Sequence, residues 1–242
     1  MKKTVSKRVF VTLLFIFIFV LSICTAAALL LYFGVVLIND PSKEKYPVRG
    51  VDVSAYQGKI DWGVLSGQDI DFAYMKATEG SSFTDECFSQ NWQGASDCGL
   101  RIGAYHFFSL ESPGADQAKH FLDVVKPVEN MLPPVVDAEP YGEYTDLSDE
   151  AISELAEWLT SVENSCGKKP IIYTTEKWYN SRIKEAFPGY GIWIRSVYSK
   201  PKTSGWTFWQ YTNRMKLDGY DGEERYIDMN VFCGSAEEFA GI

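Results

Sequence analysis

The sequence predicts an α/β fold: an irregular eight-stranded β/α barrel of the TIM-like kind, with few helices in its second half and one N-terminal transmembrane helix before it. Three observations predict it. Eight strand-like segments follow one another, with helix-like segments between the early ones. The last three strands stand too close together for full helices between them. Ahead of all of them, the thirty residues Val9–Ile38 carry no charged side chain.

Taken in chain order, residues 1–8 form a basic tail with Lys2, Lys3, Lys7 and Arg8 and no acid. Residues 9–38 would span about 45 Å as a helix, more than a bilayer core needs. The basic flank predicts a cytoplasmic N-terminus, which puts everything after Asn39 outside the cell. A cleaved signal peptide is the rival reading, with Ala26-Ala27-Ala28 as the small residues of a cleavage site. Apolar sequence continues through Leu29–Ile38, which favours an uncleaved anchor. A lipid attachment at Cys24 is disfavoured by the bulky Ile23 before it. Residues 39–47 are short, polar and interrupted by Pro41, and read as a stalk. Residues 48–242 form the barrel domain and leave no room for a second sizeable one.

Strands are expected at Gly50–Ser54, Phe72–Thr78, Ile102–Phe108, Pro134–Asp137, Ile171–Thr174, Ile192–Arg195, Thr207–Tyr211 and Asp228–Phe232. Helices are expected at Thr84–Cys98, Gly114–Val125, Asp149–Cys166 and Glu176–Phe187, with a short turn after Ile60. Asp149–Cys166 is argued most fully. Ser148 caps it, and Asp149 and Glu150 suit the positive end of the helix dipole. Ile152, Leu155, Ala156, Leu159 and Val162 form one apolar stripe. Gly167 stops it, with Pro170 beyond.

The chain has net charge −9, and beyond the basic tail 19 basic residues face 32 acidic ones, a net −13. That argues against nucleic acid as a partner, because its binding rests on phosphate neutralisation. It also speaks against docking on anionic lipid. The remaining cysteines, Cys87, Cys98, Cys166 and Cys233, contain no CxxC pair. Cys87 and Cys98, read as members of one helix, lie about 16 Å apart, too far to bridge. With only His106 and His120 as imidazoles, a His-rich catalytic metal site is not expected, and no cofactor is called for.

The segment Pro133-Pro134-Val135-Val136-Asp137-Ala138-Glu139-Pro140 ends an apolar run in two carboxylates. In an extended chain Asp137 and Glu139 point the same way, with Cα atoms roughly 6.6 Å apart. At that spacing each hinders the other's ionisation, which keeps one acid protonated toward neutral pH. Taken alone, the pair also fits solvated loop acids or calcium ligands. Barrel closure changes the weighing. Strand eight then lies beside strand one, so Asp228 neighbours Asp52, with Asp137 and Glu139 across the mouth. Active sites of such barrels sit at the C-terminal strand ends.

At this point the chain resembles glycoside hydrolase family 25, the lysozymes that cleave bacterial peptidoglycan. The resemblance runs over about Gly50–Phe232 and is carried by eight segments in order. GVDVSAYQGKIDW starts at Gly50, FAYMKATEG at Phe72, GAYHFF at Gly103 and PPVVDAEP at Pro133. IIYTT starts at Ile171, WIRSVY at Trp193, FWQYT at Phe208 and DMNVF at Asp228.

The resemblance implies an N-acetylmuramidase acting on the β-1,4 bond between N-acetylmuramic acid and N-acetylglucosamine. Glu139 matches the general acid, Asp137 the carboxylate that supports the reacting sugar, and Asp52 and Asp228 two further acids of the pocket. The family implies retention assisted by the substrate's 2-acetamido group, a known exception to the two-carboxylate scheme. A direct nucleophile or an inverting water remains open at this stage. Tyr56, Tyr105, His106, Tyr173, Trp193 and Gln210 match motif positions at or near strand ends and are expected substrate contacts. Aromatic faces with polar tips suit pyranose rings. Trp62, Trp92 and Trp158 read as core, and His106 reads equally as a hydrogen-bonded structural residue. One departure stands out. The family commonly has a small residue two positions after the Trp of WIxxY, and this chain has Arg195 there, with Tyr198 one residue further on. The resulting expectation is a membrane-tethered enzyme whose partner is peptidoglycan glycan, of no assigned oligomeric state. A non-catalytic glycan-binding barrel and a chitin-type hydrolase are the alternatives.

Overall fold

In the computed structural model, which describes residues 6–128 and 130–242, Ser6 caps a 26-residue helix, α1 (Lys7–Tyr32). None of its side chains is buried. By length and composition α1 is able to cross a membrane. It stops before the apolar run does, and Gly34 adopts a left-handed φ of 63° two residues on. Lys2 and Lys3 of the basic tail lie outside the described residues. The chain divides into two compact units, one ending at Ile38 and the other running Asn39–Ile242.

Among the described residues the second unit carries nine strands: β1 (Arg49–Val53), β2 (Phe72–Glu79), β3 (Phe83–Thr84), β4 (Arg101–Phe107), β5 (Val135–Asp137), β6 (Ile171–Thr175), β7 (Gly191–Arg195), β8 (Phe208–Met215) and β9 (Ile227–Phe232). Eight of them close a ring in chain order, and β3 only folds back on the end of β2. Pairings from β1 through β8 around the ring are parallel. β9 is antiparallel to both of its neighbours, β8 and β1. No crossover helix separates β8 from β9, and an antiparallel return is what a direct loop permits. This reversal has a functional consequence: the N-terminal end of β9, with Asp228, meets the C-terminal ends of the other strands.

Helices α2 (Trp62–Ser66), α3 (Phe88–Asp97), α4 (Gly114–Val124) and α5 (Asp149–Cys166) follow the early strands. α5 is capped by Ser148 and ends on left-handed Gly167, as its sequence predicts. Three expectations need correction. The helix expected from Thr84 begins at Phe88, because Phe83 and Thr84 pair with Glu79 and Thr78. Cys87 and Cys98 therefore cap that helix at its two ends. The Glu176–Phe187 helix is broken into α6 (Glu176–Trp178), a π-helical turn (Tyr179–Ile183) and α7 (Lys184–Ala186). The segment read as a stalk is part of the barrel unit. Its Tyr46 is buried against Trp206 and Trp209, and Asn39 Nδ2 donates to the Ser196 and Tyr211 carbonyls.

Below the mouth the ring is filled by aromatic side chains. Phe72, Tyr74, Trp193, Phe208 and Phe232 belong to one buried cluster. Gly103 makes this possible, since a Cβ there would sit 2.2 Å from the Tyr74 ring. A last helix, α8 (Ala236–Ala240), brings Phe239 onto Phe72, Phe208 and Phe232. Arg101 ties it down through the carbonyls of Phe239 and Ile242.

Candidate active site

Alternation along each strand sends one set of side chains into the ring and the other out toward the helices. At the mouth the inward set is polar. Asp52 from β1, Asp137 from β5, Asp228 from β9 and Glu139, two residues past β5, line one cleft of about 490 Å³. Its walls include Tyr56, Tyr105, Tyr173 and Trp193. Tyr56 stands at the rim, 60% exposed, on a 3₁₀ turn fixed by a Ser54–Gln57 capping box.

Asp52 and Asp228 are opposite residues of the β1–β9 pair. Gln210 Nε2 donates to Asp52 Oδ2 and to Asp228 Oδ2, both at 3.1 Å. Asn230 Nδ2 donates to Asp52 Oδ2 at 2.7 Å. Burial raises the Asp52 carboxyl above its ordinary value, and the Asn230 and Gln210 donors offset part of that rise. Asp228 is held well above the carboxylate range, first by burial and then by the charge of Asp52.

Asp137 is 8% exposed, and its Oδ1 is buried with no hydrogen-bond partner among the described residues. Burial, then the charges of Glu139 and Asp52, push it well above its ordinary value. Glu139 is also raised by burial, but Arg195 opposes the rise. Arg195 Nε lies 3.8 Å from Glu139 Oε2. Both members of the DAE pair are thus raised, with burial the first cause on each, and the mutual hindrance expected from the spacing is seen only on Asp137, as the second cause. Strand geometry ends at Asp137, so Glu139 reaches the cleft from a loop rather than from an extended strand.

Two expected substrate contacts sit elsewhere. His106 is fully buried on the outward face of β4, stacked on Trp158. Its Nδ1 lies 2.8 Å from Thr78 Oγ1 and its Nε2 2.9 Å from Gln117 Oε1. Burial pushes its pKa down to about 3. It is a structural histidine. Gln210 is 1% exposed and lies beneath the acids, with Tyr173 Oη donating to its Oε1 at 3.0 Å. It acts on the acids rather than on the cleft. Asn230 was missed by sequence reading, although DMNVF places it on the inward face with Asp228. Tyr226 and Glu224, from the β8–β9 loop, also line the cleft, and no strand or helix period marks them.

Residues 51–220 match the model for glycosyl hydrolases family 25. A family 25 glycosyl hydrolase structure from Bacillus anthracis is 47% identical, with TM-score 0.77, over 83% of this chain and 95% of that one. A bacterial lysozyme structure from Streptomyces coelicolor is 30% identical, with TM-score 0.71, over 80% and 95%. Lysozyme M1 of Streptomyces globisporus is 31% identical over 81% of this chain and 71% of its own length. With the family's segments spread over every strand of the ring and its acids gathered at one mouth, this chain belongs to glycosyl hydrolase family 25.

Proposed function

We infer that the chain is a muramidase, hydrolysing the β-1,4 bond between N-acetylmuramic acid and N-acetylglucosamine in peptidoglycan. Relatives called lysozyme and N,O-diacetylmuramidase support the activity. The observation that carries the mechanism is the buried, unpartnered Oδ1 of Asp137 in the wall of the cleft it shares with Glu139. A buried acceptor without a partner is costly, and an incoming N–H relieves that cost. The 2-acetamido N–H of the reacting sugar supplies one.

The proton then has a defined route. In the free cleft Arg195 favours the charged form of Glu139, while burial favours neutral Asp137. An acetamide N–H on Asp137 favours its charged form, so the pair's proton shifts to Glu139. Glu139 gives that proton to the leaving O4 as the glycosidic bond breaks. The acetamide carbonyl oxygen, already attached to the ring, closes on C1 at high effective concentration. Asp137 offsets the positive charge that develops on the acetamide nitrogen. Water next opens the ring intermediate from the other face, losing its proton to Glu139, and configuration is retained overall. Asp52 and Asp228 set the field beneath the sugar. Tyr56, Tyr105, Tyr173 and Trp193 offer ring faces and hydroxyls to it.

The apolar helix α1 anchors this domain on the outer side of the membrane, with the N-terminus in the cytoplasm. Tethering raises the local concentration of wall glycan without new contacts. The test is mass analysis of products released from purified peptidoglycan by the full-length chain in detergent. New reducing ends on muramic acid are expected. Reducing ends on N-acetylglucosamine, or binding without cleavage, would overturn the reading.

A further inference from the structure

Among the described residues six carboxylates and two cations, Lys76 and Arg195, line the cleft. Lys76 is spent. Its Nζ lies 2.5 Å from Glu79 Oε2 and over the rings of Phe83 and Phe107. Arg195 differs. It ends β7 on the same inward face as Trp193, 36% exposed at its side chain. Its approach to Glu139, 3.8 Å at Nε, is longer than a hydrogen bond. Among the described residues no acceptor takes any of its five N–H groups. A half-exposed guanidinium with unspent donors, in a cleft of acids, is placed for an anion.

We propose that Arg195 reads the free lactyl carboxylate of a muramic acid that has lost its peptide. The proposal rests on the muramidase reading and narrows its substrate. A planar guanidinium fork matches a carboxylate with two parallel hydrogen bonds. The rest of the cleft repels such a group, and the domain's charge of −13 adds to that repulsion. An anionic glycan therefore needs one local cation, and Arg195 is the cation with donors to give. Its closeness to Glu139 selects which anion. Glu139 serves the bond at C1 of the muramic acid, and the lactyl ether hangs from C3 of that same ring. Carboxylates of a stem peptide lie several bonds further out. While the peptide is attached, the lactyl carboxyl is a neutral amide. The reaction that supplies this substrate is hydrolysis of that amide.

The experiment compares three substrates with the full-length chain in detergent. They are peptide-free glycan strands, the same strands with lactyl carboxylates converted to methyl amides, and peptide-bearing strands. The wild type is expected to favour the free-acid strands over the amidated ones by about tenfold or more in kcat/KM, the scale of a charged hydrogen bond. Arg195→Gln is expected to bring that ratio to within about twofold, mainly through KM, and Arg195→Lys to keep part of it. The ratio cancels any effect of Arg195 on Glu139, which both substrates feel alike. A wild-type ratio near one, or a preference that survives in Arg195→Gln, overturns the proposal and leaves the muramidase reading intact. So does an Arg195-dependent preference for peptide-bearing strands. A wild type inactive on all three sinks the muramidase reading itself, and this proposal with it.

Discussion

Asp52 and Asp228 face each other in register across the β1–β9 pair, and one amide nitrogen, that of Gln210, serves an oxygen of each. The contact exists because the last strand runs backwards. In a fully parallel barrel the first residues of the final strand lie at the bottom of the ring, far from the mouth. Burial raises the proton affinity of both acids and the charge of Asp52 raises that of Asp228 further, while a shared neutral donor limits the cost without adding a positive charge.

Gln210→Ala is therefore expected to destabilise the fold by roughly 1–3 kcal/mol, the cost of leaving buried groups without their donor. The donor favours the charged forms, so its loss costs more where the pair carries more charge. Denaturant unfolding at pH 7 and at pH 4 checks this, with the larger loss at pH 7. An equal loss at both would show that Gln210 acts only by filling space.

Glu139→Gln is expected to lower turnover by about 10²-fold or more, the usual scale of acid catalysis. Glu139 is on a loop and partly exposed, so thermal unfolding should change little. Initial rates of reducing-end release, with a melting curve on the same sample, separate lost chemistry from lost fold. Near-normal turnover would take Glu139 out of the role.

Removal of Arg195 should also move the pH profile. Activity falls on the alkaline side as Glu139 loses its proton. Burial raises that limit above the ordinary glutamate range and Arg195 lowers it in part. Arg195→Gln removes the opposing charge, so the alkaline limb moves to higher pH, and with amidated as well as free-acid glycan. A limb that moves down, or stays, would show that the 3.8 Å approach has no electrostatic effect on the acid.

How far the sequence speaks depends on which physical rule each feature obeys. Ring closure, strand order and the adjacency of the first and last strands follow from alternating segments and were legible, whereas the meeting of Asp52 with Asp228 also needs the last strand to run backwards. The reversal of β9 was legible only indirectly, in the shortness of the link from Tyr211 to Asp228. His106 was left between substrate contact and structural residue, although a rule already in hand decides it. Tyr105 and Phe107 face the cleft, so period-two alternation turns His106 outward. The break in the helix after Glu176 and the loop residues Glu224 and Tyr226 obey no short-range period. Tertiary packing sets them, and a single sequence does not display it.

Placed outward, His106 becomes a determinant of stability rather than of binding. Gln117 spends its Nε2 on the carbonyls of Ser109 and Ser112, so its Oε1 faces His106 and accepts from the ring Nε2–H. Nδ1 is left to accept from the Thr78 hydroxyl. Burial disfavours the charged ring, which is why the folded pKa falls to about 3, while the unfolded chain titrates near 6.5. Between these values the unfolded state binds the extra proton. The contribution is complete above pH 6.5 and is lost as pH drops, at up to roughly 1.4 kcal/mol per pH unit. The buried acids work the other way, since their raised pKa values favour the folded state as pH falls toward 4. A variant comparison isolates the histidine. His106→Gln is expected to be less stable than wild type at pH 8, where it loses the stacking on Trp158. That deficit should shrink steadily from pH 6.5 to pH 4. A deficit that stays constant across this range would mean that His106 carries its proton in the fold.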